Sequence, residues 1–190
     1  MAFPTGWAKK CIITIPDARI SGSNTDFSIL LTEDNFPVEM LDGGAASALN
    51  GGGDVRFSED SAGLIQLPCE IVSFVTGGTP SAEVHVKLSA LNTGADKIFY
   101  VWYNKAGEVQ PLVTDPFGRN AVYTTEKARY RLQEAGASEG NLTGGTSYDS
   151  TKAGTIVADT VNKVFGASSA NLNNSGYYDI ADDPFAGATS

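Results

Sequence analysis

The stretch Gly51-Gly52-Gly53-Asp54-Val55-Arg56-Phe57-Ser58-Glu59-Asp60, followed by Leu67-Pro68-Cys69-Glu70-Ile71, decides how this chain is read. The glycines supply backbone freedom for a tight turn, and Val55-Arg56-Phe57 then alternates as a short strand. Leu64 to Phe74 reads as a longer strand interrupted by Pro68. Proline removes a ladder donor, so that strand is expected at a sheet edge or with a bulge at the proline. Asp54 and Arg56 stand two apart, so on one strand they would point to the same face. Their expected roles are local: Asp54 accepts turn amides, and Arg56 pairs with a carboxylate such as Glu70 across the sheet.

Period-2 patterns continue on both sides. Lys9 to Ile15 places Cys11, Ile13 and Ile15 on one face, and Asp26 to Thr32 does the same with Phe27, Ile29 and Leu31. Ala82 to Leu88 turns Ala82, Val84, Val86 and Leu88 inward, with Glu83, His85 and Lys87 outward. Ile98 to Tyr103 is nearly all aromatic or β-branched, as expected of a central strand buried on both faces, with Trp102 in the core. Between them, Asn35 to Asn50 shows no clear period and suggests an irregular connection with one helical turn near Ala45 to Leu49. Six strands separated by Gly, Pro, Ser and Asn turns predict an all-β, antiparallel β-sandwich of jelly-roll or Ig-like type over residues 6–104.

Composition agrees with a folded β protein. Apolar residues make up 42% of the 190 and charged residues 18%, which argues against wholesale disorder. The net charge of −9 speaks against nucleic-acid binding, which requires a positive field to displace phosphate counterions. No run approaches the roughly 18 apolar residues of a membrane span, and Met1-Ala2-Phe3-Pro4-Thr5-Gly6-Trp7 lacks the pattern of a signal peptide. Cys11 and Cys69 each fall in strand-like runs and read as buried free thiols, with a disulfide the alternative in an oxidising setting.

After Asn104 the composition shifts. Residues 105–124 carry Gly107, Pro111, Pro116 and Gly118 and read as a linker or docking arm. Thr125 to Ala137 has helical spacing at Ala128, Leu132 and Ala135, with a strand reading also open. Beyond Gly136 the chain is polar, with modest strands expected at Thr155 to Ala158, Lys163 to Phe165, Ser168 to Leu172 and Tyr177 to Ile180. So few large apolar residues offset ordering entropy poorly, at roughly 1–2 kcal/mol per residue. The segment from Gly136 onward is therefore expected to need a partner surface, or further chain outside this sequence.

The first half resembles the DUF2341 family, a β-rich module of large surface and phage-encoded proteins. The resemblance rests on Trp7-Ala8-Lys9-Lys10, Asp26-Phe27-Ser28-Ile29-Leu30-Leu31, Gly53-Asp54-Val55-Arg56-Phe57-Ser58, Leu67-Pro68-Cys69-Glu70-Ile71 and Ile98-Phe99-Tyr100-Val101-Trp102-Tyr103. Cys69 departs from it, standing where the family more often has an aromatic residue. In such proteins a concanavalin-like (LamG-type) jelly roll often follows. Phe117-Gly118-Arg119-Asn120-Ala121-Val122-Tyr123 is similar to the junction, and Arg129-Tyr130-Arg131-Leu132-Gln133-Glu134 to that domain's first strand. Asp149-Ser150-Thr151, Ser168-Ser169-Ala170-Asn171-Leu172 and Ile180-Ala181-Asp182-Asp183-Pro184-Phe185 resemble later pieces. The resemblance thus implies that residues 125–190 form an incomplete second β-domain.

Candidate chemistry is sparse. Asp42, Asp54, Glu59 and Asp60 surround glycine-rich turns that could hold calcium, yet their spacing is not that of an EF-hand and turn-capping roles are expected instead. Asp182 and Asp183 could serve a lectin-type site. His85, the single histidine, reads as solvated, and no nucleophile elbow, metalloprotease or nucleotide-binding motif is present. Trp7, Tyr177 and Tyr178 are the candidate ligand-facing aromatics. The expectation is a non-enzymatic structural protein of a bacteriophage virion: a tail-fibre, tail-tip or exposed appendage component. It would assemble in the host cytoplasm with other virion proteins and with copies of itself, for example as a trimer, without cofactor. A carbohydrate-binding or adhesion module of a bacterial cell surface, contacting a host glycan, is the alternative.

Overall fold

The computed structural model describes residues 3–124 in full. Beyond them it describes the backbone of Ser138–Glu139, Ser150–Ala153, Val157–Asp159, Ser169–Asn171 and Tyr177–Ile180. The chain divides into two compact units at Val122 and Tyr123.

The first unit is an antiparallel sandwich of two sheets. Its strands are β1 (Lys9–Ile15), β2 (Asn24–Thr32), β3 (Arg56–Ser58), β4 (Gln66–Leu67), β5 (Cys69–Val75), β6 (Ser81–Leu91) and β7 (Lys97–Tyr103). One sheet runs β1-β7-β3-β4 and the other β2-β6-β5. The period-2 patterns decide which side chains meet. Ala82, Val84, Val86 and Leu88 of β6 are all buried, opposite Leu31 and Ile29 of β2 and Cys69 and Ile71 of β5. From the facing sheet, Ile13 of β1, Phe57 of β3, Leu67 of β4, and Phe99, Val101 and Tyr103 of β7 complete the core. Removing this apolar surface from water is the main force holding the sheets together, at about 25 cal/mol per Å².

Three expectations are corrected in detail. Leu64 to Phe74 is not one strand: β4 and β5 belong to different sheets, and Pro68 is the corner between them. The missing donor at Pro68 costs nothing at a corner, and its carbonyl still accepts the Lys87 amide at 3.0 Å. Between Asn35 and Asn50 the helical turn is α1 (Val38–Leu41), not residues 45–49. Pro37 occupies its N-cap, and Met40 and Leu41 reach the core. In β7 both faces were expected to be covered along the strand. Its outer face is instead closed only at the Trp102 end, where Phe3 meets the indole edge-on at 5.6 Å, while Ile98 is 46% exposed.

In the second unit β12 (Tyr177–Ile180) pairs with β9 (Ser150–Ala153), which pairs with β8 (Ser138–Glu139). A separate antiparallel pair joins β10 (Val157–Asp159) to β11 (Ser169–Asn171). The helix or strand considered for Thr125 to Ala137, and the strand at Lys163 to Phe165, lie outside the described residues. Among the described residues no helix is long and apolar enough to cross a membrane.

Phe57 has no exposed surface and lies between Val101 and Leu67 in the register, so its loss leaves a cavity that neighbouring strands cannot close. Phe57→Ala is expected to cost about 3–5 kcal/mol in guanidinium unfolding. Ile12→Ala, on a face where Ile12 is 57% exposed, should stay within roughly 0.5 kcal/mol. Equal losses at the two positions would contradict the assignment of inner and outer faces.

Candidate functional site

The glycine-rich turn and β3 bury two groups of opposite charge. Asp54 is fully buried and Arg56 is 5% exposed. Gly51 and Gly52 take positive φ (86° and 66°), folding the turn back so that Asp54 meets two segments at once. One Asp54 carboxylate oxygen accepts the Leu49 amide at 2.8 Å and the other the Lys105 amide at 3.0 Å. Its backbone carbonyl accepts the Trp7 indole N–H at 2.5 Å.

Arg56 points out of the first sheet beside Trp102, its partner in the β3–β7 register. Its guanidinium donates to the carbonyls of Gly53 (3.0 Å), Val55 (2.8 Å) and Val109 (2.6 Å), and lies 3.4 Å from Glu108. Burial holds its pKa below the ordinary arginine value, opposed most strongly by Cys69, then Glu108 and Asp54. The expected partner Glu70 is on the other side of the sandwich. It follows Cys69 in β5, so when Cys69 enters the core Glu70 faces outward from the second sheet, opposite His85. Nor is His85 freely solvated: its side chain is 15% exposed and lies 3.5 Å from Glu83.

Residues 105–122 form a strap belonging to the first unit. Beyond the Arg56 contacts, Gln110 Nε2 donates to the Gly51 carbonyl at 2.8 Å, and the Cys69 amide donates to the Phe117 carbonyl at 3.1 Å. The strap ends in α2 (Arg119–Val122), whose Val122 carbonyl accepts the Ser28 hydroxyl at 3.0 Å. Gly53 is the position that permits this approach, because a Cβ there would lie 2.7 Å from the Glu108 carbonyl oxygen.

The candidate calcium ligands are dispersed. Asp42 accepts the Gly44 amide, and Asp60 those of Ala62, Leu64 and Ile65. The Ile65 amide is the main cause holding Asp60 below the ordinary carboxylate range. Glu59 ties the sheets together, accepting the Ser89 amide and hydroxyl and the Lys97 ammonium at 3.0 Å. Burial raises the Glu59 pKa, but these bonds outweigh it and leave a net lowering. Among the described residues no group of three or more His, Cys, Asp or Glu could hold a metal ion. Asp182 and Asp183 lie outside the described residues. Cys11 and Cys69 are free thiols; Cys11 is half-buried, and burial pushes the Cys69 thiol up to about 12.

Trp7 is less available than a ligand platform should be. Lys105 Nζ sits 3.8 Å from its ring centroid, the Arg56 guanidinium 5.6 Å away, and Phe3 edge-on at 5.1 Å. It does wall a groove of about 340 Å³ between the N-terminal segment, β4 and the strap, together with Phe3, Gln66, Glu108, Gln110 and Pro111. Apart from Trp7, these residues escaped sequence reasoning because they come from separate segments with no shared spacing. Tyr177 and Tyr178 begin β12, paired with Ala153 and Lys152, and only their backbone is described. Compared with known proteins, the chain matches no family model, no curated protein and no solved structure.

Two outcomes follow. Arg56→Met removes the donor shared by the turn and strap and leaves buried carbonyls unpaired. It should cost about 2–5 kcal/mol, with amide exchange accelerated most around Glu108 to Gln110. Unchanged exchange there would mean that the strap is held by other contacts. The second concerns acid. The folded-state pKa values of Glu59 and Glu108 are depressed, so their stabilisation is present above about pH 4.5 and lost as pH falls through the lower folded values. The urea midpoint should therefore fall from about pH 5 to pH 3, and Glu59→Gln should flatten that dependence. A variant with the wild-type pH profile would exclude Glu59 as a contributor.

Proposed function

We propose that this protein is a non-enzymatic structural component of a bacteriophage virion: a tail-fibre, tail-tip or exposed appendage subunit. In this reading it assembles with neighbouring virion proteins and with copies of itself in the host cytoplasm. The observation that supports it most is how the module's polar groups are used. Asp54, Arg56, Glu59 and Asp60 direct their hydrogen bonds to the protein's own backbone and side chains, which suits a rigid scaffold better than a reaction centre. The resemblance of residues 6–103 to a module of large surface and phage-encoded proteins supplies the setting. The polar composition of residues 125–190 supplies the reason for assembly, since so little apolar surface favours completion by a neighbour.

Light scattering on the purified full chain tests the assembly. The expected mass is a multiple of the protomer's, a trimer being the simplest case. A monomer at all concentrations, with residues 138–180 fully protected in hydrogen exchange, would overturn the proposal. Tail or capsid genes flanking the coding sequence are expected as well.

A further inference from the structure

The groove beside Trp7 retains uncommitted hydrogen-bonding capacity. Gln66 is half-buried on β4, and its side-chain amide has no hydrogen-bond partner among the described residues. Gln110 uses Nε2 on the Gly51 carbonyl, leaving its amide oxygen without a partner among those residues. Both side chains line the same concavity, whose volume of about 340 Å³ falls in the range usual for small-ligand sites.

The charges in this groove select the ligand's class. Arg56 spends both terminal nitrogens on three carbonyls and Glu108, so among the described residues lining the groove no unpaired cation awaits an anionic ligand. Glu108 is already engaged by both Lys105, at 2.5 Å, and Arg56, so a cationic ligand would have to displace a partner. Asp115 gives one oxygen to the Phe117 amide. What remains is two primary amides and the second Asp115 oxygen, all groups that can meet hydroxyls, facing apolar walls formed by Phe3, Pro111, Leu112 and Phe117. Leu112 is 77% exposed and Val109 72%, so the rim presents apolar surface to solvent. A purely apolar ligand would leave the half-buried Gln66 amide unsatisfied. A neutral ring with hydroxyls at its edge and C–H groups on its faces would use both kinds of surface.

We propose that this groove binds a neutral saccharide, with the Gln66 and Gln110 amides contacting ring hydroxyls and the Phe3–Pro111 side contacting a sugar face. Trp7 acts as a fixed wall rather than the stacking platform, because its ring and indole N–H are already engaged. The site lies wholly within the first unit, so it does not depend on how the chain assembles, and its failure would leave the virion reading intact.

Amide-resolved NMR on the ¹⁵N-labelled full chain tests it, using a panel of methyl glucoside, methyl galactoside, methyl mannoside and N-acetylglucosamine, with their β-linked disaccharides. At least one is expected to give saturable shifts of the Gln66 and Gln110 side-chain amides and the Trp7 indole N–H. Gln66→Ala should weaken that binding about tenfold while leaving the melting temperature unchanged. Gln66→Glu, which adds a charge in the same space, serves as a second variant and should also weaken it. Shifts elsewhere in the protein only, no shifts with any sugar, or undiminished binding by both variants would overturn the assignment. Tighter binding of N-acetylneuraminic acid than of every neutral sugar would overturn the neutral class.

Discussion

Two buried charges within three residues, Asp54 and Arg56, impose the constraint on which the rest of the first unit depends. An ionised group removed from water is tolerated only if its hydrogen-bonding capacity is met inside the protein. Neither residue can meet it from its own strand. Asp54 takes amides from Leu49 and Lys105, on opposite sides of it in sequence, while Arg56 takes carbonyls from its own turn and from the strap. Three distant pieces of chain are thereby located together: the loop before the glycines, the N-terminal Trp7 and the strap from Lys105 to Val109. Each contact alone contributes little, since a net hydrogen bond is worth only about 0.5–1.5 kcal/mol. The constraint lies in the larger cost of leaving any of them unmade.

That requirement explains why two residues near the node tolerate little variation. Gly53 has ordinary φ, yet a side chain there would strike the Glu108 carbonyl, so the strap could not close over Arg56. Pro68 ends β4 where the chain must leave the first sheet, placing Cys69 inward and Glu70 outward in the second. The Cys69 amide, which opens β5, then pairs with the strap at the Phe117 carbonyl. The strap therefore serves as more than a linker: it supplies a backbone partner at an edge that would otherwise stand open.

The sequence was most legible where one physical rule acted alone. The alternation of β6 gave its buried face residue by residue, because a strand between two neighbours has only inward and outward positions. Pro68 was legible as an interruption, but two strands in different sheets and one bulged strand share the same local pattern. The pairing of Arg56 with Glu70 failed for a related reason: it assumed that β3 and β5 share a sheet, a matter of topology and not of spacing. Trp102 is buried, as its apolar strand suggests, although it sits beside Arg56 on the outer face of the first sheet. Its cover comes from Phe3, whose proximity no periodicity could announce. His85 shows the converse, lying on a polar face as expected yet largely shielded.

The same accounting separates scaffold from ligand chemistry in a chain without recognisable catalytic motifs. A charged residue in a conspicuous turn invites a functional reading, but at Asp54, Arg56 and Asp60 the donors and acceptors are already matched within the protein. Binding a ligand there would first require breaking bonds that hold the fold. Gln66 and Gln110 attract no attention in sequence because amides on a strand edge and in a loop are common. In the folded chain they bring unused amide groups to a concave surface where Arg56 and Glu108 are already paired with each other. A surface of that kind can gain a ligand without losing a contact of its own, which is the condition a rigid scaffold must satisfy to bind anything.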